Sequence, residues 1–175
     1  MIKQEKIIIC GKSGSGKDFL LRGLVKMGIK YEPKITTRPK RELESQGVEY
    51  NFISTDEFKI LNESNKIKTY QHFVISGSDW YYSITKDNFD NNQVFIMTPH
   101  EISMLTSEDR KKCFVVYLDI DQETRRKRIA RRNDNNDSIN RRILADEEDF
   151  KDFRDYDLKV GDPEFDAQMV YDLTV

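Results

Sequence analysis

The chain has 175 residues, 37% hydrophobic and 34% charged, and carries a net charge of −2. That size and balance fit one soluble domain with a modest core and exclude a generally basic nucleic-acid-binding surface. No stretch of about 18 apolar residues is present to span a membrane. Met1 to Lys6 lacks the long apolar segment of a secretory signal, and Cys10 and Cys113 sit in separate apolar runs. Both thiols read as buried groups of a cytoplasmic protein, not as a disulfide or a metal site. Basic residues crowd from Arg110 to Arg142 and acidic ones from Asp146 to Asp172.

Residues 6–10 are apolar enough for a strand. They lead into Gly11-Lys12-Ser13-Gly14-Ser15-Gly16-Lys17, and a helix is predicted over 16–27, where Phe19, Leu20, Leu24 and Met27 recur at helical spacing. A strand, a glycine-rich turn and a helix form the context of a phosphate-binding loop. Glycines let backbone N–H groups converge on an anion, and the helix N-terminus adds partial positive charge. Lys17 is placed to reach the outer phosphates of a nucleoside triphosphate. Asp18 stands where such loops usually carry a Ser or Thr for Mg²⁺.

Gly28 terminates that helix, and 29–35 reads as a second strand with Pro33 near its end. From Thr36 to Ser83 the character changes. Thr36-Thr37-Arg38-Pro39-Lys40-Arg41 is a basic, proline-broken loop. Its two guanidinium forks suit a phosphate monoester, and Tyr50 has a hydroxyl to offer the same group. Residues 49–53 suit a short strand, and Ser54 or Thr55 caps a helix over 56–63. Strands follow at 67–75 and 80–84 around the turn Ser76-Gly77-Ser78-Asp79.

The continuous apolar runs 93–97 and 113–118 resume a parallel core, with a short helix from Pro99 or His100 to Leu105 between them. A basic helix spans 121–132, on which Arg125, Arg126 and Lys127 read as a solvated face and Arg128 faces the stretch that follows the helix, 131–142. Asn133 to Asp137 is a polar loop, Ser138 caps a helix over 138–152, and a last strand at 156–160 precedes a short terminal helix. Alternating strands and helices predict an α/β fold, a parallel sheet with helices on both faces and a small mixed insertion.

On these residues the chain resembles the guanylate kinase family of P-loop nucleoside monophosphate kinases. The resemblance rests on Gly11 to Lys17; on Thr36 to Arg41 with Glu44; on Gly47-Val48-Glu49-Tyr50-Asn51-Phe52; on Tyr81 and Ser83; and on Arg131 to Arg142 with Ala145-Asp146-Glu147. It implies one domain: a core (1–35, 84–130 and 143–175) holding ATP, an acceptor-binding insertion (36–83) and an arginine-bearing lid (131–142). ATP and Mg²⁺ are the implied donor and metal. Gly11, Lys12, Ser13, Gly14, Ser15, Gly16, Lys17 and Asp18 would bind ATP, with Asp18 on the metal. Arg38, Arg41 and Tyr50 would hold the acceptor phosphate with Glu44 in support, and Thr69, Tyr81 and Ser83 fall at acceptor-nucleotide positions. Lys17, Arg38, Arg131 and Arg142 carry the catalytic charge. The implied reaction is transfer of the γ-phosphoryl group to GMP or dGMP by a monomer or homodimer with no nucleic-acid or membrane partner.

The chain departs from the family near base and metal. Thr69 stands where the family reads guanine with a glutamate, Lys34 replaces a serine, and the glycine of the family's Tyr-Gly-Ser is Tyr82. Ile96-Met97-Thr98-Pro99 lacks two strand-end aspartates, and Gly161-Asp162 replaces Asn-Asp. Both phosphate sites survive, so the base preference is what these changes open. His72 lies near the expected base pocket; His100 reads as a helix-start residue, Trp80 as a packed aromatic, and Asp119 and Asp121 as helix-capping groups. Two other readings compete: a guanylate-kinase-like binding module with impaired catalysis, and a polynucleotide kinase suggested by the basic 110–142 stretch. The insertion and the acidic C-terminal half weigh against the latter.

Overall fold

The computed structural model describes residues 4–131 and 139–174. In chain order its first elements are β1 (Lys6–Gly11), α1 (Lys17–Lys26), β2 (Ile35–Thr36), β3 (Asn51–Phe52), α2 (Thr55–Glu63), β4 (Ile67–Ile75), β5 (Ser78–Thr85) and α3 (Lys86–Asn91). Then come β6 (Val94–Ile96), α4 (Pro99–Ser103), α5 (Ser107–Lys111), β7 (Cys113–Leu118), α6 (Gln122–Arg131), α7 (Ile139–Phe150), β8 (Leu158–Val160) and α8 (Ala167–Thr174).

Strand β1 is buried along its whole length. It pairs in parallel with β6 on one side and β7 on the other, and β8 continues the sheet beyond β7. Alternation sends Ile7 and Ile9 into one apolar cluster with Leu20, Leu24 and Val170, and Ile8 and Cys10 into another with Met97, Ile102 and Phe150. Both faces are covered, as a parallel sheet requires. Burying each such side chain contributes about 1.5–3 kcal/mol, so β1 is fixed firmly and delivers Gly11 to the C-terminal edge of the sheet. The buried Lys6 ammonium ties β1 to the end of α3, donating to Phe89 O at 2.6 Å and Asn92 O at 2.9 Å.

A second sheet, of order β3-β2-β5-β4, is built from the segment between β1 and β6. Strand β5 runs antiparallel to both β2 and β4, while β2 and β3 are parallel. Helix α2 starts with a capping box in which the Ser54 hydroxyl accepts from Glu57 N–H and the Glu57 carboxylate accepts from Ser54 N–H. Among the described residues no helix is long and apolar enough to cross a membrane.

Several expectations need correction. The strand expected at 29–35 shrinks to Ile35–Thr36. Pro33 has no N–H to give a ladder, and Lys30 O accepts instead from Gln93 N–H and Val94 N–H. Arg125 is not solvated. It is 2% exposed, and its Nε donates to Ile120 O at 2.9 Å, because positions 125 and 129 share the inward face of α6. Phe19 is exposed, not core. Helices α3 and α5 were not anticipated, although Thr85 and Thr106 cap them through the N–H of Asn88 and Asp109. Asp121 caps α6 as expected, accepting from Thr124 N–H and its hydroxyl. The polar loop at 133–137 and the Ser138 cap lie outside the described residues.

Helix α1 packs on α8 so closely at Gly23 that a Cβ there would sit 2.2 Å from Ala167 Cβ. Gly23→Ala gains about 1 kcal/mol of helix propensity, but overpacking costs about 1–3 kcal/mol. The variant is expected to unfold at lower urea concentration than the parent. An unchanged or higher midpoint would show that α1 and α8 part without penalty.

Candidate active site

The glycine-rich loop between β1 and α1 is shaped for an anion. Gly14 has φ +77° and Gly16, the residue capping α1, has φ +96°. Both angles are in the left-handed region, where side chains are strained. A Cβ on Gly14 would also come within 2.7 Å of Arg125 O. Arg128 fixes the loop from outside, donating to Gly14 O at 3.2 Å and Pro163 O at 3.0 Å. Lys17 folds back over the loop, its Nζ 2.6 Å from Gly11 O and 3.1 Å from Lys12 O.

One loop amide already holds an anion. Ser13 N–H donates to Asp146 Oδ2 at 2.8 Å, so a carboxylate of α7 occupies a place suited to a phosphate oxygen. Beside it Lys12 pairs with Glu147 at 2.9 Å, and that hydrogen bond holds the Glu147 carboxyl below the usual carboxylate range. Asp149, on the same helix, is pushed up by burial and by the neighbouring Asp146 and Glu148 carboxylates. The acidic α7 and the basic loop therefore face each other.

A cavity of about 460 Å³ opens from this loop. It is lined by Ser13, Lys17 and Asp18 of the loop and α1, and by Arg41, Tyr50 and Tyr82 of the second sheet and its loops. Arg141 and Arg142 of α7 also line it. On the outer side of the loop a groove of about 810 Å³ is lined by Asp18, Phe19, Arg22, Arg128, Arg131 and Phe165. Asp18 thus borders both spaces. Phe19 meets Phe165 edge-on at 5.8 Å, leaving an aromatic face in the groove.

The residues expected at the acceptor end fall into two groups. Arg41 and Tyr50 line the cavity. Arg38 stands behind them, 4% exposed, its fork on the Glu44 carboxylate at 2.9 and 2.6 Å and its guanidinium 5.5 Å from the Tyr50 ring centre. Glu44 Oε2 also accepts from Arg41 N–H, so one carboxylate organises both arginines. Tyr82, marked in the sequence only as a replacement of the family's glycine, stands on the cavity wall. Tyr81 points to the other face of β5, stacking on Phe58 at 4.1 Å and on His72 at 4.5 Å. Ser83 and Thr69 are fully buried outside the lining. Among the described residues the Ser83 hydroxyl has no hydrogen-bond partner, and the Thr69 hydroxyl donates to Glu101 at 3.3 Å. His72 pairs with Asp79 away from the cavity, whereas Trp80 lines it. Arg131 is in the outer groove and Arg142 in the cavity, so the two lie in different spaces around the loop.

The Arg38 hydrogen bond lowers the Glu44 pKa, followed by the Arg41 N–H contact. A lowered carboxyl contributes stability above its unfolded value of about 4.3, and loses it as pH falls through the folded value. Glu44→Gln, which leaves Arg38 buried without a counter-charge, is expected to lower the denaturation midpoint at pH 6. The gap to the parent should shrink on acidification below about pH 4. A gap that stays constant with pH would reject the ion pair as its cause.

Comparison with known proteins places these features in one family. The family model described as guanylate kinase matches residues 3–172. A guanylate kinase of Photobacterium profundum is 26% identical over 97% of this chain and 85% of its own length. One of Bacteroides fragilis is 29% identical over 95% of this chain and 80% of its own. The crystal structure of guanylate kinase from Anaplasma phagocytophilum superposes with a TM-score of 0.66 at 16% identity, covering 97% of this chain and 84% of that one. With the loop, the two-sheet architecture and a match across nearly the whole sequence, the chain belongs to the guanylate kinase family.

Proposed function

We propose that this protein is an ATP-dependent nucleoside monophosphate kinase, with GMP or dGMP as acceptor. The observation that carries the reading is one cavity lined both by Lys17 and Asp18 and by Arg41 and Tyr50. Two phosphate-holding groups facing one space are what direct transfer between two nucleotides requires.

Phosphoryl transfer needs no covalent nucleophile from the protein; it needs in-line placement and dispersed positive charge. An oxygen of the acceptor's own phosphate attacks the γ-phosphorus of ATP, and ADP leaves with the electrons of the broken bond. The loop amides and Lys17 hold the donor phosphates. Arg41 and Tyr50, backed by Arg38 and Glu44, hold the acceptor phosphate. Arg141 and Arg142 approach from α7, and Arg131 reaches the donor side through the outer groove, where the nucleoside of ATP stacks beside Phe19. ATP must displace Asp146 from Ser13 N–H, which exchanges one anion for another of higher charge.

Among the described residues no group of three or more His, Cys, Asp or Glu is arranged to hold a metal ion. Asp18, exposed on the first turn of α1 between the two spaces, fits Mg²⁺, which commonly takes one or two carboxylates and completes its shell with phosphate and water. When bound it would neutralise phosphate charge.

A coupled assay of ADP release with ATP, Mg²⁺ and a panel of ribo- and deoxynucleoside monophosphates tests the proposal. Turnover is expected, and none with any acceptor would refute it. Lys17→Ala is expected to lower kcat by about 100-fold or more. Asp18→Ala is expected to raise the Mg²⁺ concentration giving half-maximal rate; an unchanged requirement removes Asp18 from the metal site.

A further inference from the structure

The floor of the cavity carries a charge arrangement that the phosphate chemistry does not use. Lys34, Gln71, Thr98 and Glu101 meet where β4 passes α4. Glu101 is fully buried, and its carboxylate accepts four hydrogen bonds. Lys34 Nζ lies 2.7 Å from each oxygen, the Thr69 hydroxyl 3.3 Å from Oε1, and Thr98 N–H 2.9 Å from Oε2. An ionised carboxylate has about four acceptor positions, so none remains for a ligand.

The donors are different. Lys34 gives two N–H bonds to Glu101, and among the described residues no acceptor takes its third. The Thr98 hydroxyl donates to Gln71 Oε1 at 2.9 Å, which orients the Gln71 amide and leaves its two N–H groups without an acceptor among the described residues. Apolar walls from Phe73, Trp80 and Tyr82 stand beside this floor. Of the other cavity carboxylates, Glu49 is engaged with Ser45 N–H and Asp146 with Ser13 N–H, and Asp18, Glu32 and Asp149 belong to α1, the segment before β2 and α7, none of them on β4 or α4. The floor therefore offers donors to a flat ring between apolar walls.

We propose that Lys34, locked by Glu101, is the base-reading residue of this site. It selects an acceptor whose base presents a carbonyl to it, a 6-oxopurine or a 4-oxopyrimidine, and the site does not require an exocyclic 2-amino group. This rests on the acceptor-site reading above. An ammonium with a fixed direction favours a carbonyl oxygen, as Lys does at the O6/N7 edge of guanine. An amino group at the same place, as on adenine or cytosine, sets donor against donor and leaves both unpaired. With the Glu101 acceptor positions filled and Thr69 turned into that carboxylate, no carboxylate oxygen on the floor is left to reward the 2-amino group by which guanine differs from hypoxanthine.

Calorimetric binding of GMP, IMP, dTMP, AMP and CMP to the parent protein and to Lys34→Met/Glu101→Gln tests this. The double variant is neutral, and Gln at 101 retains the acceptor that caps α4. A matching thermal transition confirms its fold. Expected for the parent are Kd values for GMP and IMP within about threefold, and AMP and CMP at least about 100-fold weaker than the preferred keto nucleotide. The better of IMP and dTMP distinguishes the purine from the pyrimidine source. In the double variant keto and amino nucleotides should converge to within about tenfold. AMP or CMP binding as tightly as the keto nucleotides, GMP exceeding IMP by about 100-fold, or an unchanged preference in a folded double variant would each overturn the assignment. Binding decides this point whether or not phosphoryl transfer occurs, so the kinase reading stands or falls separately on turnover.

Discussion

The structure depends on the burial of β1 between two parallel neighbours. Ile7, Ile8, Ile9 and Cys10 are completely buried, and their register with β6 and β7 fixes where the backbone must turn at Gly11. From that point the chain has one course: a left-handed turn at Gly14, a second at Gly16, and α1 beyond. The loop is a rigid consequence of the core, so the positions of its amides and of Lys17 are set before any ligand arrives. Preorganised donors of this kind need little rearrangement when charge develops, which is why they are effective in transfer chemistry.

The second sheet meets that edge through charge as much as through packing. Lys34 leaves the connection before β2 and pairs with Glu101 of α4, linking the segment before the second sheet to a helix of the core. Glu101 also completes the capping box of α4, its carboxylate accepting from the N–H of Thr98, the N-cap. One buried carboxylate thus starts a helix, turns a lysine and faces β4. A buried ion pair contributes little net stability, but removing one partner is costly. Its value is directional: it fixes a donor at the cavity floor. Glu44 does the same for Arg38 and Arg41 in the loop before β3.

Much of this was legible in the sequence. The run 113–118 is apolar throughout and is a strand with those bounds, and the turn at 76–77 sits between the two long strands of the insertion. The glycine-rich turn between β1 and α1 was readable because glycine spacing and flanking elements agree. What failed to be legible depended on side-chain direction. Thr69, Gln71 and Phe73 share one face of β4, but a register shift between Ile67 and Thr69 sets which face. Tyr82 consequently reaches the cavity and Tyr81 turns to Phe58. Arg125 looked solvated because a run of charges carries no sign of the carbonyl it will meet. Glu101 was not singled out at all; it closes the capping box of α4, and nothing local reveals that Lys34, 67 positions away, shares it.

The central claim is that donor and acceptor phosphates occupy one continuous space between the glycine-rich loop and Arg41. Titration with a bisubstrate analogue, adenosine and guanosine joined through five phosphates, tests it most directly. Joining the two ligands turns the second binding event into an intramolecular one. The account predicts one analogue per chain, bound at least about 100-fold more tightly than ATP alone, with neither nucleotide able to bind once it is in place. Binding no tighter than ATP, or simultaneous binding of the analogue and GMP, would contradict it.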